Sequence, residues 1–224
     1  MAAGVPVIRQ RVLVRVAMCA SLGWLLCGCE SQSDTLRIGQ ILYEQITGLG
    51  GSETVPRAQV VAVPYATLGV RLGSSGQAMF VLESRSGASL QWVGGKQFAI
   101  STRDGRILRT AGFVHNLSGF LDETLGDANG SPTSRIYRYD LADLNAYGVS
   151  VHCSERDVGQ EQIVIVGDAH ETRHIIEDCV AEDLDWSFSN EFWKDVASNY
   201  VWRSLQYIHP GLDPIALETL RPTN

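Results

Sequence analysis

From residue 58 onward the chain alternates apolar and polar positions with a period of two. QVVAV (59–63), TLGVRL (67–72), QAMFVLES (77–84), SLQWV (89–93) and KQFAISTR (96–103) are short runs rich in Val, Phe and Thr. Pro64, Gly73-Ser74-Ser75-Gly76, residues 84–87 and Gly94-Gly95 separate them, which is strand and turn punctuation. The clearest unit is FAISTRDGRILRT (98–110), in which Asp104-Gly105 supplies the positive φ angles of a tight hairpin. Residues 119–134 read as a loop. YGVSVHC (147–153) and QIVIVG (162–167) alternate again and pair as a hairpin. YVWRSLQYI (200–208) and PIALETL (214–220) close the chain as two more strands. Strands at this spacing predict a mainly β, single antiparallel, barrel-like domain over 58–224, closed or nearly closed on itself. Ahead of it, Leu36, Ile41, Leu42 and Ile46 mark a short amphipathic N-terminal helix over 35–47, weakened by Gly39 and followed by the Gly48–Gly51 loop.

The N-terminus has a different pattern. Arg9, Arg11 and Arg15 precede a mostly apolar, uncharged run over 16–28. That run is shorter than the roughly 20 residues of a spanning helix and suits a signal sequence. It ends in Leu26-Cys27-Gly28-Cys29, which resembles a bacterial lipobox. A thiol at the first mature position forms the thioether to diacylglycerol, so Cys29 is the candidate lipid attachment site. The other reading is an ordinary cleaved signal with Cys29 beside it. The expected organisation is a signal peptide (1–28), a lipidated tether with helix and Gly-rich loop (29–57) and the β domain (58–224). Glu30, where an Asp favours inner-membrane retention in enteric bacteria, points to the periplasmic face of the outer membrane.

Charge then excludes some partners. The full chain carries −7. Loss of residues 1–28 removes three arginines and no acids, leaving 15 basic against 25 acidic residues and a net charge of −10. An acidic domain without a basic run is a poor match for nucleic acid or for anionic lipid. Of five cysteines, Cys19 and Cys27 leave with the signal, and Cys153 and Cys179 remain. In an oxidising periplasm they form a candidate disulfide; two separate buried thiols are the alternative.

One motif carries explicit chemistry. His170-Glu171-Thr172-Arg173-His174 has the H-E-x-x-H spacing of zinc peptidases, with Glu191 as candidate third ligand and Glu171 as general base. On a helix, with Asp168 and Glu171 as a capping box, both histidines face one way. On a strand they lie roughly 13 Å apart and cannot share one ion. The motif therefore depends on local structure. Trp92, Trp186, Trp193 and Trp202 suit either sugar stacking or core packing, with packing the commoner use.

VPYATLGVRL (63–72), Leu90-Gln91-Trp92-Val93, STRDGRILRTAG (101–112), Asn190-x-Phe192-Trp193-x-Asp195 and VWRSLQYIHPG (201–211) with the closing ETLRP together resemble the YjbF/GfcB family of bacterial lipoproteins, associated with exopolysaccharide and group 4 capsule production. The resemblance implies a barrel-like periplasmic domain anchored to the outer membrane, with an accessory, non-catalytic role. It implies no catalytic residue, metal or cofactor. The partners it implies are the membrane, through the lipid anchor, other exopolysaccharide-secretion proteins and polysaccharide itself. Residues 113–185 match poorly, and neither Cys153 and Cys179 nor His170-Glu171-x-x-His174 belongs to the family pattern. The alternative function is a zinc metallopeptidase using His170, His174 and Glu191.

Overall fold

A computed structural model describes residues 54–223, apart from Lys96 and residues 125–133. The expected signal peptide (1–28), Cys29 and the expected 35–47 helix lie outside the described residues. Among the described residues a short helix, α1 (Arg57–Ala62), is followed by twelve strands. These are β1 (Thr67–Leu72), β2 (Ala78–Ser86), β3 (Ser89–Gly94), β4 (Phe98–Arg103), β5 (Arg106–Ala111) and β6 (Gly119–Asp122). The second half holds β7 (Ser134–Leu141), β8 (Ala146–Ile165), β9 (Asp168–Ala181), β10 (Trp186–Asp195), β11 (Val201–Gln206) and β12 (Ile215–Arg221).

All twelve form one sheet in which every ladder is antiparallel, and strands adjacent in sequence pair everywhere except between β5 and β6. The pairing of β12 with β1 joins the two ends of the chain. The strands therefore run as a meander around a nearly closed barrel, with one seam, between β5 and β6. At one end of that seam the Thr110 N–H donates to the Leu117 carbonyl at 2.9 Å. Alternation explains the wall. In β4, Phe98, Ile100 and Thr102 are buried and the intervening residues less so. Trp92, Leu68, Val70, Phe80, Ile215 and Leu217 extend the same interior layer. Trp92 is core, with its indole N–H on Thr102 Oγ1 at 2.9 Å.

Three local expectations are corrected. Residues 59–62 are on α1 rather than a strand. A proline at the N-cap, Pro56, pre-sets the entry to this single-turn element. Within the 119–134 loop the first four residues form β6, paired to β7. YGVSVHC and QIVIVG are not a hairpin but two stretches of the 20-residue β8, whose partner is β9.

That last correction shapes the outer surface. The β8–β9 ladder is broken between Asp157 and Gly159, and Gly159 has φ 127°. Before the break Val149, Val151 and Cys153 are buried on the lumen side; beyond it Ile163 and Ile165 are buried on the opposite face. A bulge with this effect bends the ribbon. Residues 159–171 thus fold back as an arm over the outside of the barrel. Arg203 Nη2 on the Val164 carbonyl (3.4 Å) and Arg57 Nη1 on the Val166 carbonyl (2.8 Å) fasten it there.

Candidate functional site

The two-residue Asp104-Gly105 turn links β4 to β5 with φ values of 49° and 77°. Residues in this conformation match the right-handed twist of the flanking strands. The turn enters one end of the barrel. The Gly105 carbonyl accepts hydrogen bonds from Gln206 Nε2 (2.8 Å) and Ser204 Oγ (3.4 Å), and Gln206 Oε1 accepts the Ile107 N–H (2.9 Å). A Cβ on Gly105 would sit 2.4 Å from Val201 Cβ, so only glycine allows this approach. Asp104 borders a cavity on each side of the turn, of about 430 and 480 Å³.

The larger cavity lies against the seam and contains the most concentrated charge in the interior. Arg106, from β5, donates to Glu177 Oε1 on β9 across the lumen. Glu177 is 1% exposed and Arg106 17%. The Tyr137 hydroxyl donates to the same Oε1 at 3.1 Å. The guanidinium of Arg106 lies 4.6 Å from the Tyr137 ring centroid and 4.7 Å from that of Phe192, a cation–π sandwich. Beside it, Arg135 Nε and Nη2 grip both carboxylate oxygens of Glu155, at 2.8 and 3.2 Å. Burial pushes the Glu177 carboxyl up, but the Arg106 charge and its hydrogen bonds outweigh this and hold it below the usual glutamate range. Burial pushes the Tyr139 hydroxyl up to about 12 and drives Tyr137 further. Glu177 Oε2 has no hydrogen-bond partner among the described residues. Lys194 and Phe120 complete the wall, with Leu108 of β5 and Leu121 of β6 on either side of the seam.

The histidine motif resolves differently. His170 to His174 lies in the strand β9, paired to β8 and β10, so the helix that zinc chemistry needs is absent from these residues. His170 stacks on Trp202 at 3.8 Å, and His174 stacks on Trp193 at 4.4 Å. Glu191 does reach His174, with Oε2 2.8 Å from Nε2. Glu171, however, is exposed on the other face and accepts from Gln162 Nε2 at 2.6 Å. Among the described residues, His170, His174 and Glu191 do not form a group whose ligand atoms converge. This geometry does not support the alternative of a zinc peptidase. The side chains instead fill the contact between the arm and the barrel wall.

Two further groups carry chemistry. Cys153 and Cys179 are directly opposite in the β8–β9 ladder and are joined, with Sγ–Sγ 2.03 Å. At the barrel end opposite the Asp104-Gly105 turn, three connections meet through His115, Asp143 and His209. Asp143 Oδ2 lies 2.6 Å from His115 Nδ1 and 3.3 Å from His209 Nε2. The Gly211 N–H donates to His209 Nδ1 at 2.9 Å, which leaves the ring proton on Nε2, facing Asp143. The two rings are stacked at 4.3 Å and 5°. Parallel planes cannot both contain one ion, so this is a latch between loops, hydrogen-bonded through His115 and stacked through His209, rather than a coordination sphere.

Sequence reasoning missed Arg106, Tyr137 and Glu177. A signal for Glu177 existed: it precedes Cys179 by two and so shares its face. Nothing local marks Arg106, whose partner is 71 residues away.

A barrel of this design is shared with known proteins. The family described as "Group 4 capsule polysaccharide lipoprotein gfcB, YjbF" matches residues 45–220. The chain belongs to the YjbF family. It is 25% identical over 213 residues to the uncharacterized lipoprotein GfcB of Escherichia coli (strain K12), covering 88% of this chain and 94% of that one. The crystal structure of the hypothetical lipoprotein YmcC from Escherichia coli (K12) superposes with a TM-score of 0.60 at 19% identity, covering 87% of this chain and 98% of that one. That likeness supports the fold. This YjbF-family chain is thus related to capsule-associated lipoproteins.

Proposed function

We propose that the protein is held by a lipid on Cys29 at the periplasmic face of the outer membrane. There it serves exopolysaccharide or capsule export as an accessory component that binds rather than catalyses. The observation that carries this reading is the family match over 45–220. The structure is compatible with a water-facing domain. Arg138, Ser150, His152, Ser154, Asp178 and Ser189 form a row of neighbours on the outer wall of β7 to β10. A membrane-embedded barrel has an apolar band on that face. The lumen is crossed by the Asp104-Gly105 turn and the Arg106–Glu177 pair, as in a packed core rather than a pore.

Two experiments test the proposal. Cys29→Ala should move the protein out of the membrane fraction, and retention there would remove the anchor. Deletion of the gene should reduce exported polymer, with restoration by the wild-type chain. Unchanged polymer export in the deletion strain would refute the role.

A further inference from the structure

Resting on that reading, we infer that the lumen cavity beside the β5–β6 seam is a binding site for an uncharged saccharide segment. Its volume of about 480 Å³ falls within the roughly 300–1,000 Å³ of small-ligand sites. Its walls interleave hydrogen-bond donors and acceptors. Four cations (Arg103, Arg106, Arg135, Lys194) face four acids (Asp104, Asp122, Glu155, Glu177), so the lining is neutral overall. Sugar hydroxyls match such a wall, because each can donate to a carboxylate while accepting from a guanidinium or ammonium group. An acidic sugar gains no excess of positive charge here and meets a domain that is acidic as a whole.

The lining has unused capacity. Glu177 is 1% exposed, yet its Oε2 lacks a partner among the described residues. A buried acceptor left unsatisfied is destabilising, and a donor hydroxyl that reaches it relieves this. Lys194 makes no ion pair among the described residues; its ammonium group lies 5.9 Å from the Phe192 ring centroid. Phe120 supplies an aromatic surface for the apolar C–H face of a sugar ring.

β5 ladders with β4 and β6 with β7, and Leu108 and Leu121 line the cavity from the two edges of the seam.

The test uses the mature lipoprotein in a zwitterionic detergent that has no sugar headgroup. Amide and side-chain NMR shifts are followed during titration with cellotetraose, maltotetraose and an oligogalacturonate of the same length. The expected result is saturable shifts at Phe120, Tyr137 and Glu177 with a neutral probe. Phe120→Ala and Lys194→Gln should each weaken binding about tenfold, which corresponds to ~1.4 kcal/mol. Both variants should keep the wild-type amide spectrum elsewhere. Glu177→Gln should also weaken it, and the first two variants keep the test valid if that one fails to fold. The inference is overturned if neither neutral probe shifts these residues, if the shifts map elsewhere, or if the uronate binds more tightly. Normal export in the deletion strain would remove the capsule role without touching this result. Absent shifts alongside defective export would remove the site and keep the role.

Discussion

Removing Arg106 should expose how far one ion pair holds the barrel together across its seam. The guanidinium is the cationic partner of Glu177 and joins β5, on one side of the seam, to β9 on the other. In Arg106→Met the Glu177 carboxylate keeps only the Tyr137 hydroxyl, at 3.1 Å. Breaking a buried pair by taking one partner costs about 3–5 kcal/mol, because a charge is left uncompensated. Both groups are largely buried, so solvent screening does little to reduce this. At about 2 kcal/mol per molar urea, the midpoint should fall by roughly 1.5–2.5 M. Replacing both partners, Arg106→Met with Glu177→Leu, removes the orphaned charge and should recover much of the loss. Urea unfolding followed by tryptophan fluorescence, run as a double-mutant cycle, reads both numbers. A loss below about 1 kcal/mol for Arg106→Met would refute the argument. So would a double variant as unstable as the sum of its singles.

Other outcomes follow from the same geometry. Replacing Cys153 and Cys179 by serine opens a loop with a sequence separation of 26; the chain-entropy relation gives a loss of about 3.5 kcal/mol, checked by melting the variant beside the oxidised wild type. Gly105→Ala combines φ 77° with a 2.4 Å approach to Val201 and should cost roughly 2–4 kcal/mol, whereas Gly87→Ala, at φ 59° in open space, should cost only about 1. Equal losses at the two positions would refute the close approach of the turn to β11. Stability should fall with acid in two stages. Burial lowers the His209 pKa from 6.5, against the opposing pull of Asp143, so the unfolded chain binds more protons and stability declines as the pH drops below 6.5. Glu177 and Asp143 are held below 4.5 and 3.8, so their contributions are complete above those values and are lost below them. His209→Gln should abolish the first stage, as read from urea midpoints between pH 7 and 5, and an unchanged slope there would refute it.

Much of the wall was legible because alternation is a local property. The Phe98 to Arg103 strand and the Asp104-Gly105 turn can be read from neighbouring residues alone, since side-chain period and positive φ are set there. Residues 59–62 misled because a short apolar run has no period of its own, and Pro56 decides between helix and strand only with the following chain in place. The long β8 misled for another reason. Its polar centre, Ser154 to Gln160, lacks apolar alternation, yet the strand continues because its backbone pairs with β9 there.

The sequence by itself determined a β chain whose neighbours in order can pair, and it contained the alternation that gives each strand one buried face. It also determined that the histidine motif depends on helix or strand, because four residues span different distances in each. Tertiary structure decided everything that depends on long-range closure. It set Arg106 against Glu177, it clamped the Gly105 turn with Gln206, and it turned His170 and His174 into packing for the arm. The physical reason is that a ladder is specified pair by pair, whereas a lumen and its cavities exist only when residues far apart in the chain face one another.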